Sequence, residues 1–299
     1  MQIFSVFSKD YFYNLIIYLF IIIIIIIIIY MHIQFIFTRH GYSCSNYIDE
    51  YNKMNDDKMD KSQVFDPILT DVGILESIKL NKFIKHHKII PDIILCSKLK
   101  RAIESAAMIY KDVKTHIYPV SFINEISASE PESENTLSCI SDIKNYVKTT
   151  NISPIIDFTL SEYLDKYLIH NGFRMCDIDI PSFENFIKYI VPFIVKFISH
   201  GKINYKKTYR IAVVSHYVFL MKHFNTILHN SHNINTLNNL DTWVEDVHIR
   251  QLNDEFKNIN FISNKLVKMY SGSSKKSTSN ITRCFYHDYI RKHKLLNYL

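Results

Sequence analysis

Short apolar runs alternate with longer amphipathic stretches along most of the chain, and several runs stop at polar, charge-bearing turns. Ile33 to Phe37 is apolar and ends at Thr38-Arg39-His40-Gly41, which predicts a buried strand followed by a functional turn. Asp92 to Cys96 and His116 to Ile123 read as further strands, and Tyr209 to Val214 is the clearest strand of all. Between them Thr70-Asp71 can cap a helix over Val72 to His87, with Ile74, Leu75, Ile78, Phe83 and Ile84 on one side. Leu99 to Tyr110 and Tyr217 to Leu228 read as two more helices. Ser182 to His200 carries Phe183, Phe186, Ile187, Ile190, Ile194 and Phe197 at helical spacing, with a kink expected at Pro192 and an end at Gly201. Tyr47 to Phe65 is polar and charge-mixed and reads as a loop or irregular insertion, and Ser129 to Thr136 as an acidic turn. Strands alternating with helices imply an α/β domain of three layers, α/β/α, with a mostly parallel sheet.

The hydrophobic pattern changes character at the N-terminus. Leu15 to Met31 is uninterrupted apolar or aromatic, and Ile21 to Ile29 is all isoleucine. A helix needs about 20 apolar residues to cross a bilayer. Counted from Tyr11, with Asn14 as the one strongly polar interruption, residues 11–31 are long enough for an N-terminal hydrophobic transmembrane helix. Tyr11, Tyr13 and Tyr30 would then sit at the interfaces. The run exceeds the usual apolar core of a signal peptide, and no small-x-small cleavage site follows. A buried strand is the poorer reading, because an isoleucine tract in water is an aggregation hazard. Translation starting at Met31 is the competing expectation, since His32 to Phe37 already reads as a strand; the protein would then be cytoplasmic.

The expected division is therefore an N-terminal tail (1–10), the apolar helix (11–31), one α/β domain (32–270), a Ser/Lys-rich linker (271–280) and a basic, aromatic tail (281–299). Composition alters this little. The 299 residues are 47% hydrophobic and 21% charged, which excludes wholesale disorder. A net charge of +6 suits an anionic substrate or a membrane surface as well as nucleic acid, and no dense basic stripe points to nucleic acid. The five cysteines, Cys44, Cys96, Cys139, Cys176 and Cys284, are odd in number and widely spread, and form no C-x-x-C pair. That speaks against a disulfide framework and a zinc ribbon, and for a reducing compartment, so the domain is expected on the cytosolic side of a single-pass membrane protein.

The chemistry-bearing residues sit where the strands end. Arg39 and His40 close the first strand, Arg101 follows the second, Asn124-Glu125 follows the third, and Ser215-His216 closes the best one. In open parallel sheets ligands lie beyond the carboxyl ends of the strands. Two arginines converging on one point fit a phosphate, because the planar fork gives bidentate, charge-assisted hydrogen bonds. A neutral imidazole beside them is a competent nucleophile toward phosphorus. A second histidine can stabilise charge on the equatorial oxygens. A carboxylic acid is then needed to protonate the leaving alkoxide.

The ordered set Arg39-His40-Gly-x-Ser-x-x-Asn46, Leu69-Thr-x-x-Gly73, Ser97-x-Leu-x-Arg101-Ala and Val-Ser-His216 resembles the histidine phosphatase superfamily, also called phosphoglycerate mutase-like. The likeness runs from about His32 through the helix after His216, toward Tyr270. It implies the phosphoglycerate mutase-like fold and a phosphomonoester hydrolase with His40 as phosphohistidine nucleophile. By the same resemblance Arg39, Arg101 and His216 complete the phosphate pocket, Asn46 is an auxiliary phosphate contact, and Glu125 is the proton donor and then the base for water. No metal or other cofactor is implied, because the arginines supply the positive charge. The implied partner is a phosphorylated small molecule or a phosphoprotein, with the membrane met through residues 11–31.

Three departures qualify the resemblance. Tyr217 stands where many members have glycine, which would narrow the pocket. The residues after Glu125 lack the Gly and Trp-Glu-Gly pattern of the mutase branch, which favours a hydrolase over a phosphoglycerate mutase-like phosphotransferase. The Asn46 to Asp66 insertion is longer than the minimal loop. A catalytically inactive, membrane-tethered phospho-ligand binder is the alternative from a different class. Glu130, Glu132 and Glu134 are the other carboxylates in reach of the acid role. Glu104 reads as a surface or capping group, Cys44 as a small space-filler, and His86-His87 and His229/His232 as surface residues without metal-site spacing.

Overall fold

The computed structural model describes residues 14, 16–19, 30–56, 58–59, 64–125, 135–150, 152, 155–227, 236–251, 259–272 and 284. Its centre is one six-stranded sheet in the order β3-β2-β4-β1-β5-β6. The strands are β1 (Tyr30–Arg39), β2 (Ile93–Cys96), β3 (Ile117–Pro119), β4 (Thr208–Ser215), β5 (Thr242–Gln251) and β6 (Ile259–Tyr270). The first four pair in parallel, whereas β5 runs antiparallel to β1 and β6 antiparallel to β5. The sheet is thus mixed, and the two antiparallel strands were not foreseen. Both carry charge among their apolar residues (Glu245, Asp246, Lys265, Lys268), and register shifts at Thr242/Trp243 and Asp246/Val247 break the period of two.

The parallel strands read as apolar runs because both of their faces are covered. Ile33, Phe35 and Phe37 join Ile93, Leu95, Ile211 and Val213 in one core, while Ile36, Ile94, Cys96, Ala212 and Val214 belong to the other. Helices α1 (Cys44–Met54), α2 (Asp71–His86), α3 (Lys100–Ile109) and α4 (Ile140–Thr149) supply the second core. Helices α5 (Thr159–His170), α6 (Met175–Ile178), α8 (Val191–Ile198) and α9 (Tyr217–Ile227) supply the first. This is the three-layer arrangement expected.

Several expectations need correction. The polar stretch taken as a loop from Tyr47 begins inside a helix: α1 starts after Ser43, whose hydroxyl accepts the Asn46 N–H in a capping box. Its apolar signal is weak, Ile48 being its one buried branched residue. The strand expected over His116–Ile123 stops at Pro119, and Phe122 has φ +65°, so the chain turns there. The stretch around Pro192 is not one kinked helix. A helical turn, α7 (Phe183–Asn185), leads into a π-turn (Phe186–Ile190), and α8 carries Pro192 in its first turn, where a missing N–H is tolerated. The widened turn is closed by the Val191 N–H donating to the Phe186 carbonyl.

At the N-terminus Tyr30 and Met31 are strand residues, paired with Arg250 and Ile249, and Met31 is buried in the first core. The apolar helix expected over 11–31 therefore cannot extend to residue 31. Asn14 and residues 16–19 are helical and exposed, and the rest of the run lies outside the described residues. Among the described residues no helix is long and apolar enough to cross a membrane. Cys44 is not a space-filler: it forms a disulfide with Cys284, 240 positions later. The ground for placing the domain on the cytosolic side falls with it, because that rested on the absence of disulfides. Thiol titration of the unfolded, unreduced protein is expected to find three groups, Cys96, Cys139 and Cys176, and five after reduction. Five before reduction would remove the bond.

Candidate active site

The parallel register builds the site. Arg39 is paired with Ser215 across β1 and β4, so His40 and His216 leave the sheet side by side. The His40 N–H donates to the Ser215 carbonyl at 2.9 Å, and the two imidazole rings lie 4.9 Å apart between centroids. On the other side of β4 the Ser97 N–H donates to Val214 O, which brings the end of β2 and the start of α3 to the same edge. Arg101 lies in the first turn of α3 and is 3% exposed.

The turn around His40 is held from several directions. The Gly41 N–H donates to Ser105 Oγ at 2.8 Å, and Ser105 in turn donates to the Arg101 carbonyl at 2.6 Å. Asn239 Nδ2 reaches the carbonyls of His40 and Gly41 at 3.0 and 3.2 Å, and Asn46 Oδ1 at 3.1 Å. Thr70 caps α2 and also donates its hydroxyl to Tyr42 O. Gly73 is demanded by this contact, since a Cβ there would come within 2.2 Å of Tyr42 O. Gly272 has a similar duty: a Cβ would meet Asn239 O at 1.7 Å, and its N–H donates to Asp241 Oδ1. Gly272 is thus packed against the domain, while Ser271 is exposed; the remainder of the expected linker and all of the tail but Cys284 lie outside the described residues.

His40 Nδ1 is 2.7 Å from the carbonyl oxygen of its neighbour Gly41. A carbonyl only accepts, so Nδ1 carries the proton and Nε2 keeps a lone pair. Burial, and then the charges of Arg101 and Arg39, push the His40 pKa well below the ordinary value. The ring is therefore neutral at pH 7. His216 is neutral for the same reasons: burial, then Arg101, His40 and Arg39. Its Nε2 lies 2.7 Å from Ser97 Oγ, and its Nδ1 is buried without a partner.

Arg39 stays charged although burial, the largest influence, draws its pKa down to about 10; Glu125 partly offsets this, and Arg101 adds to it. Its Nη1 donates to Leu237 O at 2.5 Å, its Nε is buried without a partner, and its guanidinium lies 5.2 Å from the centre of the Tyr217 ring. Arg101 Nη2 donates to Asn135 Oδ1 at 2.6 Å. Glu125 Oε2 accepts from the Val218 N–H at 3.4 Å, at the start of α9.

The expected residues Arg39, His40, Arg101, Glu125 and His216 are thus brought to one end of the sheet. Asn46 is close by, and its Oδ1 accepts from the Ser43 N–H and hydroxyl as well as from Asn239. An amide oxygen so engaged leaves only Nδ2 for an anion. Tyr217 does stand at the site, as its departure from glycine suggested. Glu104 is not a surface group; it is 3% exposed, accepts from the Leu69 N–H at 2.7 Å and from the Tyr146 hydroxyl, and so ties the α2 entry loop to α3. Asn239 and Asn135 were missed. Asn239 lies at the end of an asparagine-rich stretch that has no apolar period and no motif, and nothing local marks one amide over its neighbours. His86 and His87 are exposed at the end of α2. His229, His232, Glu130, Glu132 and Glu134 lie outside the described residues. Among the described residues no cluster of three or more His, Cys, Asp or Glu could hold a metal ion.

No curated protein sequence matches the chain. Solved structures similar to it include the ecdysone phosphate phosphatase of Bombix mori in complex with tungstate, at 11% identity and a TM-score of 0.46, over 82% of this chain and 97% of that one. A mycobacterial glucosyl-3-phosphoglycerate phosphatase complexed with VO3 follows at 12% identity and a TM-score of 0.43, over 80% and 99%. A phosphoserine phosphatase from Entamoeba histolytica in complex with 3-phosphoglyceric acid is 20% identical, with a TM-score of 0.37, over 71% and 89%. The family model of the histidine phosphatase superfamily (branch 1) matches residues 35–154. That segment contains the His40 turn, the Leu69–Gly73 loop, Arg101 and Glu125, and over it the chain is similar to the histidine phosphatase superfamily.

Proposed function

We propose that the protein hydrolyses phosphate monoesters through a phosphohistidine formed on His40. The observation that carries this reading is the state of His40: its Nδ1 is tied to Gly41 O, which leaves the lone pair on Nε2, and burial and the charges of Arg101 and Arg39 hold the ring neutral. Arg39 and Arg101 draw the phosphoryl group in and neutralise the charge on its oxygens. The His40 Nε2 lone pair forms the P–N bond as the ester P–O bond breaks. Glu125 gives its proton to the departing alkoxide, then takes one from water as the water oxygen attacks phosphorus and the P–N bond breaks. An arriving phosphate dianion beside Glu125 favours the protonated carboxyl that the first step needs. The substrate class proposed is a phosphorylated small molecule or a phosphoprotein.

Glu125→Gln provides the test. Phosphate release is expected to fall about 10²- to 10⁴-fold for alkyl esters, and far less for aryl esters whose leaving group needs no proton. The leaving-group dependence, measured on a series of phenyl and alkyl phosphates, decides it. A loss that is small and equal across the series would take the acid role away from Glu125. Isomerisation of phosphoglycerates without net phosphate release would replace the hydrolase reading with a phosphotransferase.

A further inference from the structure

Behind the second histidine stands a small hydrogen-bond network whose proton positions are determined by chemistry alone. Asn124 is 1% exposed, and its Oδ1 lies 3.0 Å from the Lys98 backbone nitrogen and 3.0 Å from Ser97 Oγ. A backbone N–H can only donate, so the amide atom facing it is the oxygen; the side chain cannot be flipped. Ser97 Oγ therefore meets an acceptor at Asn124 and a second obligate donor, the Leu99 N–H at 3.2 Å. A hydroxyl has one proton and two lone pairs. Its proton goes to Asn124, Leu99 uses one lone pair, and the other faces His216 Nε2 at 2.7 Å. That contact is satisfied only if His216 Nε2 bears the proton. The opposite assignment would set two lone pairs against each other between Ser97 and Asn124. In the neutral ring, Nδ1 is then bare, and it is the atom left buried and unpartnered beside His40.

We propose that Asn124 is a positioning residue that, through Ser97, locks His216 as the Nε2–H tautomer, so that the site takes up each phosphate group together with one proton. A fully ionised phosphate oxygen and a bare Nδ1 are both acceptors and repel. The proton that joins them comes from solvent or from the phosphate monoanion, and no other bond changes. The charged and titratable groups acting on His216 are Arg101, His40 and Arg39, with Glu125 acting in turn on Arg39. Burial and then the two guanidiniums keep the ring neutral until an anion arrives. The inference rests on the phosphate reading of the site for its second half only.

Two measurements on the full chain test it. Ring ¹⁵N shifts of selectively labelled histidine, taken without anion at pH 8, are expected to show His216 protonated at Nε2. In Asn124→Ala the Ser97 hydroxyl is free to turn to His216, and the Nδ1–H form is expected to appear. In Asn124→Asp both acceptor contacts survive, and Nε2–H is expected to persist. Finding Nδ1–H in the unsubstituted protein, or the same tautomer in Asn124→Ala, would overturn the lock. If Asn124→Ala fails to fold, the unsubstituted protein and Asn124→Asp still decide it. Calorimetry of sulfate binding in buffers of different ionisation enthalpy counts protons; the unsubstituted protein is expected to take up one more per sulfate than Asn124→Ala. Equal uptake would overturn the second half. Sulfate that does not bind at all would instead sink the phosphate reading and leave the tautomer result standing.

Discussion

Replacing His40 with alanine is expected to lower phosphate release by about 10⁵-fold or more, the scale on which nucleophile deletions fall, and to abolish acid-labile phosphoenzyme. The expectation follows from the ring's geometry. Only Nε2 has a free lone pair, because Gly41 O holds the proton on Nδ1. The fold should survive, since the turn is fixed by main-chain and amide contacts (His40 N–H to Ser215 O, and Asn239 to the His40 and Gly41 carbonyls) that the substitution leaves in place. The pH profile is a second readout. With its pKa held well below the ordinary histidine value by burial and two arginines, His40 remains a nucleophile through pH 6. No loss of phosphoryl transfer attributable to this ring is expected on acidification through pH 6.5. Rapid-quench trapping of ³²P-labelled protein checks both points; undiminished labelling of His40→Ala would remove the nucleophile from this position.

Arg101→Ala is expected to cost about 10³-fold in kcat/KM, the scale set by removing a preorganised charge from a phosphoryl-transfer site. Arg101 appears among the influences on Arg39, His40 and His216, so its guanidinium sits at the electrostatic centre of the group. It also donates to Asn135, which fixes the plane of the fork. Lysine keeps the charge but not the fork, so Arg101→Lys should recover only a small part of the activity. Arg101→Ala has a further expected result. With Arg101 gone, one cause of the depressed histidine pKa values is lost, and both rings should titrate at higher pH, visible in their proton shifts. Full activity in Arg101→Lys would show that a point charge suffices and that the bidentate argument is wrong.

The sheet core and the site were legible in the sequence for one shared reason. Parallel strands buried on both faces give continuous apolar runs, and the candidate catalytic groups stand at the places where those runs stop. Arg39-His40, Arg101, Glu125 and His216 could be found because each follows such a run. The supports were not legible. Asn239 and Asn135 reach the site from segments with neither an apolar period nor a motif, and Ser105 and Glu104 act from buried positions on a helix that sequence alone presents as amphipathic. The antiparallel pair β5 and β6 escaped because its charges and register shifts erase alternation. At Asn46 the motif indicated the residue but not what orients it: its amide oxygen accepts from the Ser43 cap and from Asn239, which leaves the Nδ2 donor for an anion.

The Cys44–Cys284 bond couples two places that a reader of the linear chain would treat as independent. Cys44 opens α1, four positions after His40, and is itself anchored by its N–H to Ile68 O. Closing a loop of that length can contribute up to about 5 kcal/mol by restricting the unfolded chain. Trimming the protein after Tyr270, an obvious economy for anyone preparing the catalytic domain, would therefore free a thiol at the start of α1, four positions from His40. The shortened form would be a chemically different enzyme, open to alkylation and to dimerisation through that sulfur.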